Sequence, residues 1–375
     1  MVDRKKFLLV FASSAIGLFL TACFSKIGQG SKSLNILTES SSLLSGETGN
    51  PPEQEKQSAA AETSDVSKTG NSKQEEDKKI KKARVGISLS EESIEKKINK
   101  AVELAGGLGF IKKDSVVLLK PNLNTGDPNP ASTNPEVVRH VIRLVKKQNP
   151  SAILVGDRSS FWTDTVSCMK KNGVYAVAGE EGAELYPFEA DEWIRIKPEL
   201  AQNWKSGFTI PRGINLVDYI ISLPVIKTHS IATFTMAIKN WVGILQPKER
   251  TADLHMYNNK KDIFGYKLAE LHLARVPDFI VMDGTRVFVD GGPTEGTAVD
   301  ANIIVASDDI IANDVCGLAI LKSLGTNKKI QDRSVWDHPQ IARAVELGLG
   351  IKERENIEIN SDNSFNAGRI ISNLV

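Results

Sequence analysis

Two short apolar strands separated by one capped helix constrain the fold more than any other feature of the sequence. Residues 116–119 and 152–155 are apolar runs of strand length, and between them Asn134 followed by Pro135 has the pattern of a helix start. The apolar stripe of this helix is formed by Val138, Val141, Ile142 and Val145. A strand, a helix and a strand at this spacing form a βαβ unit. Its two strands are parallel and adjacent, and the loops that follow them lie at one edge of the sheet.

The same alternation continues through the rest of the chain. Further runs of strand length cover residues 219–223, 278–282 and 302–306. Helical patterns cover residues 231–245, 266–274 and 310–324, and another helix begins near His338 behind a capping Asp337. Strands that alternate with helices predict an α/β domain over residues 83–375, with a mostly parallel, layered sheet and helices on both faces.

The first 23 residues have the layout of a bacterial lipoprotein signal. Arg4, Lys5 and Lys6 precede an apolar run over residues 7–20, and small residues then end directly at Cys23. This layout predicts a signal peptide over residues 1–22 and a lipidated Cys23, which would anchor the chain to a membrane on the exported side. A transmembrane helix is the alternative, but the run has roughly 14 residues and a span needs about 20. Which membrane carries the anchor is left open.

Residues 24–79 are rich in Ser, Gly, Glu, Lys, Gln and Asn and contain no Trp or Tyr. Such a segment buries too little apolar surface to offset the entropy that it would lose on ordering. We therefore expect a disordered linker over residues 23–82, between the lipidated cysteine and the folded domain. A linker of this kind would hold the domain clear of the bilayer.

The net charge and the cysteines exclude several classes of function. The formal net charge is +1, and no basic stripe with interleaved aromatics is present, so nucleic acid is not an expected partner. With Cys23 assigned to lipid, Cys168 and Cys316 remain, and their spacing is far from any iron–sulfur or zinc signature. These two thiols could form one disulfide after export or stay free in the core.

Residues 223–241, LPVIKTHSIATFTMAIKNW, carry the clearest signal for function. An apolar run ends in Lys227 and His229, and Lys239 with Asn240 follows in the next element. In open α/β sheets, ligands bind outside the carboxyl ends of the strands. Cations and an imidazole at this point predict a pocket for a small anionic ligand, in which His229 would exchange protons near neutral pH.

Other predicted strands are also followed by polar side chains. Lys120 and Asn122 follow the first strand, Asp157 follows the second, and Asp283 precedes a glycine-rich run. Parallel strands would bring these loops to the same edge of the sheet. Convergence of lysine, histidine and carboxylate predicts an acid–base site or a divalent metal site, with Asp283 or Asp157 orienting His229 or the metal.

Further candidates have both a functional and a structural interpretation. Lys239 could extend from a core helix to solvent, although its apolar neighbours favour an ammonium that faces a cleft and has a lowered pKa. Arg250 is another candidate for anion binding, and His255 is either a metal ligand or a surface histidine. We assign His140, His272 and His338 to structure.

Carboxylates near the glycine-rich run and in the apolar helix are less specific candidates. Glu295 belongs to the run that starts at Asp283, whose glycines could approach a ligand closely or simply form tight turns. Asp314 lies in an otherwise apolar helix, so its carboxylate needs a partner, for which Lys120 or Lys239 would serve.

A family resemblance rests on motifs that occur in order over residues 85–324. These are LLKPNLN, STNPEVV, ILVGDRS, DYIISLPVIKTH, MAIKNWVGILQPKER, FIVMDG, GGPTEG and IIVASDDIIANDV. On these motifs the chain resembles the domain-of-unknown-function 362 family, which has no agreed activity. Some members carry an additional ferredoxin-like module with iron–sulfur cysteines. This chain lacks those cysteines, so the resemblance implies no iron–sulfur cluster here.

The same family is distantly similar to the nickel-dependent lactate racemases. In those enzymes a histidine transfers the proton, a following lysine carries a nickel pincer nucleotide, and a later histidine ligates the metal. The resemblance implies these roles for His229, Lys239 and His255. The glycine-rich run before the racemase lysine is replaced here by Thr-Met-Ala-Ile, which argues against the pincer nucleotide.

Together these features predict an exported, lipid-anchored α/β enzyme that acts on a small carboxylate. Lys227, Lys239 and Arg250 would bind the anion, and His229 would be the acid–base group in a racemisation or an elimination. One alternative is a solute-binding lipoprotein that uses the same cations without turnover. Another is an envelope-interaction protein, which predicts an exposed apolar patch.

Overall fold

An eleven-stranded sheet forms the centre of the structure. The computed structural model describes residues 82–257 and 260–374, all of which belong to one compact unit. The expected signal peptide, Cys23 and the linker up to residue 81 lie outside the described residues. The strands are β1 Ala83–Ser88, β2 Val116–Pro121, β3 Ala152–Asp157, β4 Glu184–Pro187, β5 Trp193–Ile196, β6 Phe208–Pro211, β7 Tyr219–Leu223, β8 Val225–His229, β9 Thr233–Thr235, β10 Phe279–Gly291, β11 Gly296–Val299, β12 Ile303–Ser307 and β13 Ile357–Ser361.

The strand order is β13–β1–β12–β10–β7–β2–β3–β4. Strands β8 and β11 also pair with β10, and β9 pairs with β8, whereas β5 and β6 form a separate two-stranded sheet. All the pairs from β4 through β3, β2 and β7 to β10 are parallel, and β8 is parallel to β10. The predicted mostly parallel sheet is therefore confirmed, including the βαβ unit that ends at β3.

Strand β12 departs from this direction. It is antiparallel to both of its neighbours, β1 and β10. Only the short strand β11 lies between β10 and β12, and a connection of that length is too short for the crossover that a parallel pair requires. Consequently the loop after β12 lies at the opposite edge of the sheet from the loops after β2, β3 and β8.

The helices cover both faces of the sheet, as predicted. They are α1 Ile94–Leu104, α2 Pro135–Lys146, α3 Thr165–Asn172, α4 Val174–Glu180, α5 Ala237–Asn240, α6 Pro247–Glu249, α7 Lys261–Glu270, α8 Ile310–Leu324, α9 Lys328–Gln331, α10 Pro339–Glu346 and α11 Ser364–Ile371. On one face, Phe279 and Val281 of β10 share a core cluster with residues of α1, α2 and α4. On the other face, Met282 of β10 contacts Asn313 of α8. Of the described helices, none combines the length and the apolar character that a membrane span needs.

Helix α2 shows how local sequence sets these elements. The side chain of Asn134 accepts a hydrogen bond from the backbone N–H of Glu136, and Pro135 occupies the first helical position. All four residues of the predicted apolar stripe are fully buried. The stripe packs α2 against the sheet, so the sequence pattern predicted both the start of the helix and its orientation.

Three predicted elements are wrong in extent or kind. Residues 231–245 form the short strand β9, the single helical turn α5 and a 3-10 turn rather than one helix, because residues 233–235 pair with β8. Helix α7 ends at Glu270 and passes into a 3-10 turn, so it covers only part of residues 266–274. His338 itself caps α10, and Asp337 belongs to the preceding 3-10 turn.

The two cysteines of the domain are free. Cys168 and Cys316 are both buried, and they do not form a disulfide. Burial raises the pKa of the Cys316 thiol to about 12, so it remains protonated at neutral pH. Of the two alternatives left open by the sequence, the structure supports the free thiols.

Candidate functional site

A cleft of about 470 Å³ opens at the edge of the sheet where β2, β3 and β8 end. This volume lies within the range typical of small-molecule sites. Its lining includes Asn122, Asp157, Arg158, Lys227, His229, Thr235, Lys239, Asn240, Arg250 and His255. The structure therefore brings together most of the side chains that the sequence singled out in separate loops.

A larger cavity, of about 610 Å³, lies at the opposite edge and is lined by Asp308, Asp309 and the loop at residues 348–353. There the carboxylate of Asp309 is already engaged, because it accepts hydrogen bonds from the backbone N–H groups of Ile311, Ala312 and Ile351. This cavity has no convergent set of cations. The smaller cleft is the better candidate for chemistry.

A β-hairpin sets the inner wall of the cleft. In the antiparallel pair of β8 and β9, Lys227 lies opposite Thr235 and His229 lies opposite Thr233. Residues two apart on a strand share a face, so Lys227, His229 and Thr235 all project to one side. Thr233 has φ +72°, a left-handed conformation that is strained for a β-branched residue. A strained residue in the tight hairpin fits a site in which backbone geometry is fixed by function.

The backbone of the hairpin holds the imidazole ring of His229. Nδ1 of His229 accepts hydrogen bonds from the backbone N–H groups of Ile231 and Ala232, at 3.1 and 3.2 Å. Burial and the charges of Lys239, Lys227 and His255 lower the pKa of His229 well below its ordinary value. The ring is therefore neutral at pH 7, with its proton on Nε2. His229 presents a hydrogen-bond donor to the cleft, not the free lone pair of a base.

Lys227 lies at the bottom of the cleft, where three oxygen acceptors hold its ammonium group. Its ammonium donates to Asn122 Oδ1 and Pro293 O, each at 3.2 Å, and to Ala131 O. Burial and the charge of Lys239 lower the pKa of Lys227 to about 7, whereas the three oxygen acceptors favour the charged form. Lys227 thus has a structural role in joining three loops and contributes positive potential to the cleft.

Lys239 differs from Lys227 because no hydrogen bond or ion pair to its ammonium occurs within residues 82–257 and 260–374. The side chain is half-buried on α5 and faces the cleft. Desolvation and the nearby charge of Arg250 lower the pKa of Lys239 to about 8. An amine with this pKa is partly neutral near physiological pH, and it is available to a ligand.

A buried ion pair between Lys120 and Asp157 lies at the base of the cleft. The Lys120 ammonium lies 2.7 Å from Asp157 Oδ1, and both side chains are almost fully buried. Asp157 also accepts hydrogen bonds from the backbone N–H groups of Leu123 and Arg158. Burial lowers the pKa of Lys120, and the Asp157 carboxylate opposes this shift. Lys120 itself does not line the cleft, so its predicted contact with a ligand is replaced by a contact with Asp157.

The Asn122 and Asn240 side chains connect the floor to α5. Asn122 Nδ2 donates to Asn240 Oδ1 at 3.2 Å, and Asn240 Nδ2 donates to Lys120 O and to Ser222 Oγ. Both amides line the cleft, but most of their donors and acceptors are hydrogen-bonded to other groups of the protein. They hold α5, and therefore Lys239, in position over the sheet edge.

Arg250 joins two walls of the cleft. Four of its five N–H groups donate to backbone carbonyls, with Nε bonded to Leu245, Nη1 to Ser159, and Nη2 to Arg158 and Gly243. Burial lowers the pKa of Arg250 to about 10, which leaves it charged at neutral pH. Within the part of the chain that the structure describes, one N–H of Nη1 has no acceptor and could meet a ligand.

The lining carries an excess of positive charge. Lys227, Lys239, Arg158 and Arg250 are its lysines and arginines, and its carboxylates are Asp127 and Asp157. Both carboxylates are ion-paired with lysines outside the lining, Lys171 and Lys120 respectively. The cations of the cleft are therefore not neutralised by its own acids, which favours an anionic ligand.

Besides Lys120, three further predicted site residues do not line the cleft. Strand β10 continues through the glycine-rich run to Gly291, so Asp283 lies in mid-strand and faces α2. Its carboxylate accepts hydrogen bonds from the backbone N–H of Asn134, from Asn129 Nδ2 and from Thr285. Burial raises the pKa of Asp283. Asp283 is thus a structural residue that fixes the start of α2.

Asp314 and Glu295 are corrected for similar reasons. Asp314 of α8 accepts hydrogen bonds from the backbone N–H groups of Ala237 and Ile238, so its partner is the start of α5 and not Lys120 or Lys239. Burial raises the pKa of Asp314 to about 7. Glu295 is exposed in the turn between β10 and β11, in agreement with the tight-turn interpretation of the glycines.

His255 lines the mouth of the cleft, with its ring 5.9 Å from that of Phe264. Among residues 82–257 and 260–374, no group of three or more His, Cys, Asp or Glu side chains is placed to hold a metal ion. A metal at His255 would therefore need other ligands, such as a second imidazole together with groups of the bound molecule. His140, His272 and His338 do not line the cleft.

Sequence reasoning missed several residues of the site. Thr235 lines the cleft, and its Oγ1 is buried and has no hydrogen-bond partner in the described part of the chain. Phe161 and Trp162 are exposed at the mouth of the cleft, in the loop that follows β3, and two adjacent aromatics in a polar post-strand loop could have signalled them. Thr235 could be found only from the hairpin register, which the helical interpretation of residues 231–245 concealed.

Comparisons with known proteins identify one relative and one family. The thylakoid-associated protein sll1697 of Synechocystis sp. is 29% identical over 217 residues, which cover 57% of this chain and 65% of that protein. The chain thus spans slightly less than two thirds of the relative's length. The model of the domain of unknown function DUF362 matches residues 117–319, a range that contains all the residues lining the cleft. The chain belongs to the DUF362 family.

Proposed function

We propose that this protein is an enzyme that binds a small carboxylate in the cleft and moves a proton next to the carboxylate group. The observation that carries the proposal is Lys239, whose amine has a lowered pKa and no partner among the described residues, in a cleft whose other cations are held in place. An amine of this kind can accept a proton near neutral pH. Racemisation and elimination are the reaction types that begin with such a step.

The geometry supports a division of roles that differs from the sequence expectation. His229 was the expected base, but its Nδ1 lone pair is occupied by two backbone N–H groups. We assign proton abstraction to Lys239 and assign to His229 the donation of a neutral hydrogen bond, through Nε2, to the oxygen that gains negative charge. The free N–H of Arg250 and the hydroxyl of Thr235 would orient the carboxylate.

The proposal is tested by solvent exchange. The full-length protein is incubated in D₂O with a panel of 2-hydroxy, 2-amino and 2-oxo carboxylates, and loss of the C–H signal next to the carboxylate is followed by NMR. We expect exchange of at least one member of the panel. The rate should rise with pH to a plateau at or above about 8, because Lys239 must be neutral to accept a proton and a bound anion raises its pKa further.

Matched variants separate the roles. Lys239→Met should abolish exchange, while Lys113→Met, which removes an exposed lysine away from the cleft, should leave it unchanged. His229→Gln should lower the rate by about 10²-fold or more if it donates to the developing oxyanion. Full exchange by Lys239→Met would show that the base is another residue.

The distant similarity to nickel-dependent lactate racemases that the sequence led us to expect gives an alternative to a free amine at Lys239. Lys239, His229 and His255 line the same cleft, so the chain has the lysine and the two histidines that such a role would require. A pincer cofactor, if present, would be held covalently at Lys239 and would supply hydride chemistry in place of proton abstraction. Mass spectrometry of the peptide that contains Lys239, taken from the natively purified chain, distinguishes the two, since only the cofactor adds mass to this peptide.

A solute-binding protein is the rival function. It would use the same cations, and it predicts tight binding of a carboxylate without exchange. The domain described here is a single compact unit, whereas solute-binding proteins usually close two lobes around the ligand. This observation favours an enzyme. Binding of an acid that is never exchanged, by wild type and Lys239→Met alike, would favour the rival.

We further propose that the protein is exported and held at a membrane by lipid on Cys23. The basic, apolar and small-residue segments that end at this cysteine support the proposal. The relative from Synechocystis is named a thylakoid-associated protein, and a membrane location is consistent with that name. The cleft would then face a small-molecule pool on the exported side.

A further inference from the structure

Two adjacent aromatic side chains form the outer wall of the cleft. Trp162 is 70% exposed and Phe161 is 39% exposed. Their ring centroids are 4.0 Å apart in an edge-to-face arrangement, and both residues line the cleft. Large aromatic surfaces at the mouth of a pocket are suited to bind flat apolar groups.

The turn that carries these aromatics is held in place by its backbone. The Arg158 guanidinium donates through Nη1 to Ser159 O, Ser160 O and Thr163 O at 3.1, 3.0 and 2.9 Å. The backbone N–H of Ser160 also donates to Asn124 O at 2.8 Å, which joins the turn to the loop after β2. The backbone of the turn that carries the two rings is therefore held by hydrogen bonds, although the rings themselves are exposed.

The same turn is also hydrogen-bonded to Arg250, one of the cations of the cleft. Arg250 donates through Nη1 to Ser159 O at 2.7 Å and through Nη2 to Arg158 O at 2.9 Å. One guanidinium thus connects the aromatic wall to the region where Lys239 and the free N–H of Arg250 would meet an anion. Because the same guanidinium holds the backbone of the turn, the cations and the aromatic residues belong to one connected site.

We propose that the ligand is an aromatic or similarly flat carboxylate, with its anionic group near Lys239 and its ring against Trp162. This inference rests on the proposed function, because it names the substrate class of the same site. It makes Trp162 a specificity-determining residue with no part in proton transfer. A short aliphatic acid would occupy the cationic end and leave the aromatic wall in water.

Three probes separate the two halves of the site: phenylacetate carries both groups, acetate carries only the anion, and phenylacetamide carries only the ring. Their binding to the full-length chain is measured by ligand-observed NMR and by protection of tryptophan fluorescence from acrylamide. For wild type we expect phenylacetate to bind at least tenfold more tightly than either of the other probes. Trp162→Ala should weaken phenylacetate about tenfold and leave acetate unchanged, and Trp162→Phe should restore most of the difference.

Two further variants act as controls. Tyr175→Ala removes an exposed aromatic that does not line the cleft, so it should leave all three affinities unchanged. Lys239→Met should weaken both acids. If phenylacetate and acetate bind wild type equally, or if Trp162→Ala leaves their ratio unchanged, the aromatic preference is wrong and the anion site stands. If neither acid binds, or if phenylacetamide binds as tightly as phenylacetate, the proposed function fails as well.

Discussion

Gly243 allows the backbone to approach the buried Lys120–Asp157 ion pair, and Gly243→Ala should therefore be strongly destabilising. A Cβ added at this position would lie 2.0 Å from Asp157 Oδ1 and 2.5 Å from Lys120 Nζ. Both distances are shorter than any real Cβ contact, and the two charged groups are themselves only 2.7 Å apart. The added methyl must displace at least one of them, and neither side chain has open space around it.

The magnitude follows from the buried charge. Separating a buried pair leaves charge that solvent cannot reach, which costs about 3–5 kcal/mol, and overpacking alone costs about 1–3 kcal/mol. Because the adjacent 3-10 turn can shift and relieve part of the clash, we expect a loss of about 3 kcal/mol in the free energy of unfolding. Urea unfolding of the full-length chain, followed by tryptophan fluorescence, measures it.

Gly179→Ala is the matched control. Gly179 lies in α4, and nothing lies within 4 Å of a Cβ added there, so this change should stabilise the chain by about 0.5–1 kcal/mol. Asp157→Asn keeps the shape of the side chain and removes the charge, which separates the electrostatic effect from the steric one. A Gly243→Ala variant within about 0.5 kcal/mol of wild type would refute the reasoning, since the ion pair would then tolerate displacement.

The remaining predictions concern another buried carboxylate and the N-terminus. The pKa of Asp314 is about 7 in the folded state, above its ordinary value of 3.8, so the folded state binds more protons between these values. The stability of wild type should fall by about 3 kcal/mol as pH rises from about 4 to about 7, and Asp314→Asn should remove this dependence in urea unfolding at the two pH values. A wild-type curve that is flat in this range, or an unchanged slope in the variant, would contradict the assignment. Cys23→Ser should move the protein from the membrane pellet to the soluble fraction, and it should remove the acyl mass of the N-terminal peptide. A variant that still pellets with membranes would rule out lipid on Cys23 as the anchor.

The sequence alone determined the elements that depend on local patterns. The Asn-Pro start and the apolar stripe of α2, together with the strands on either side, are local features, and the structure has them at the expected positions. Because parallel strands put their following loops at one edge, the sequence also indicated that Asn122, Asp157 and Lys227 would meet. These inferences use only chain direction and residue periodicity, which a single sequence contains.

Only the tertiary structure decided which of the candidate side chains face the cleft and what they bond to. Asp283 and Lys239 look equally promising in the sequence, yet one is engaged by the start of α2 and the other has no partner among the described residues. The tautomer of His229 depends on the β8–β9 hairpin, and the contacts of Thr235 depend on its register. Side-chain orientation and hydrogen-bond partners are set by contacts between residues far apart in the chain, whereas local periodicity describes only near neighbours.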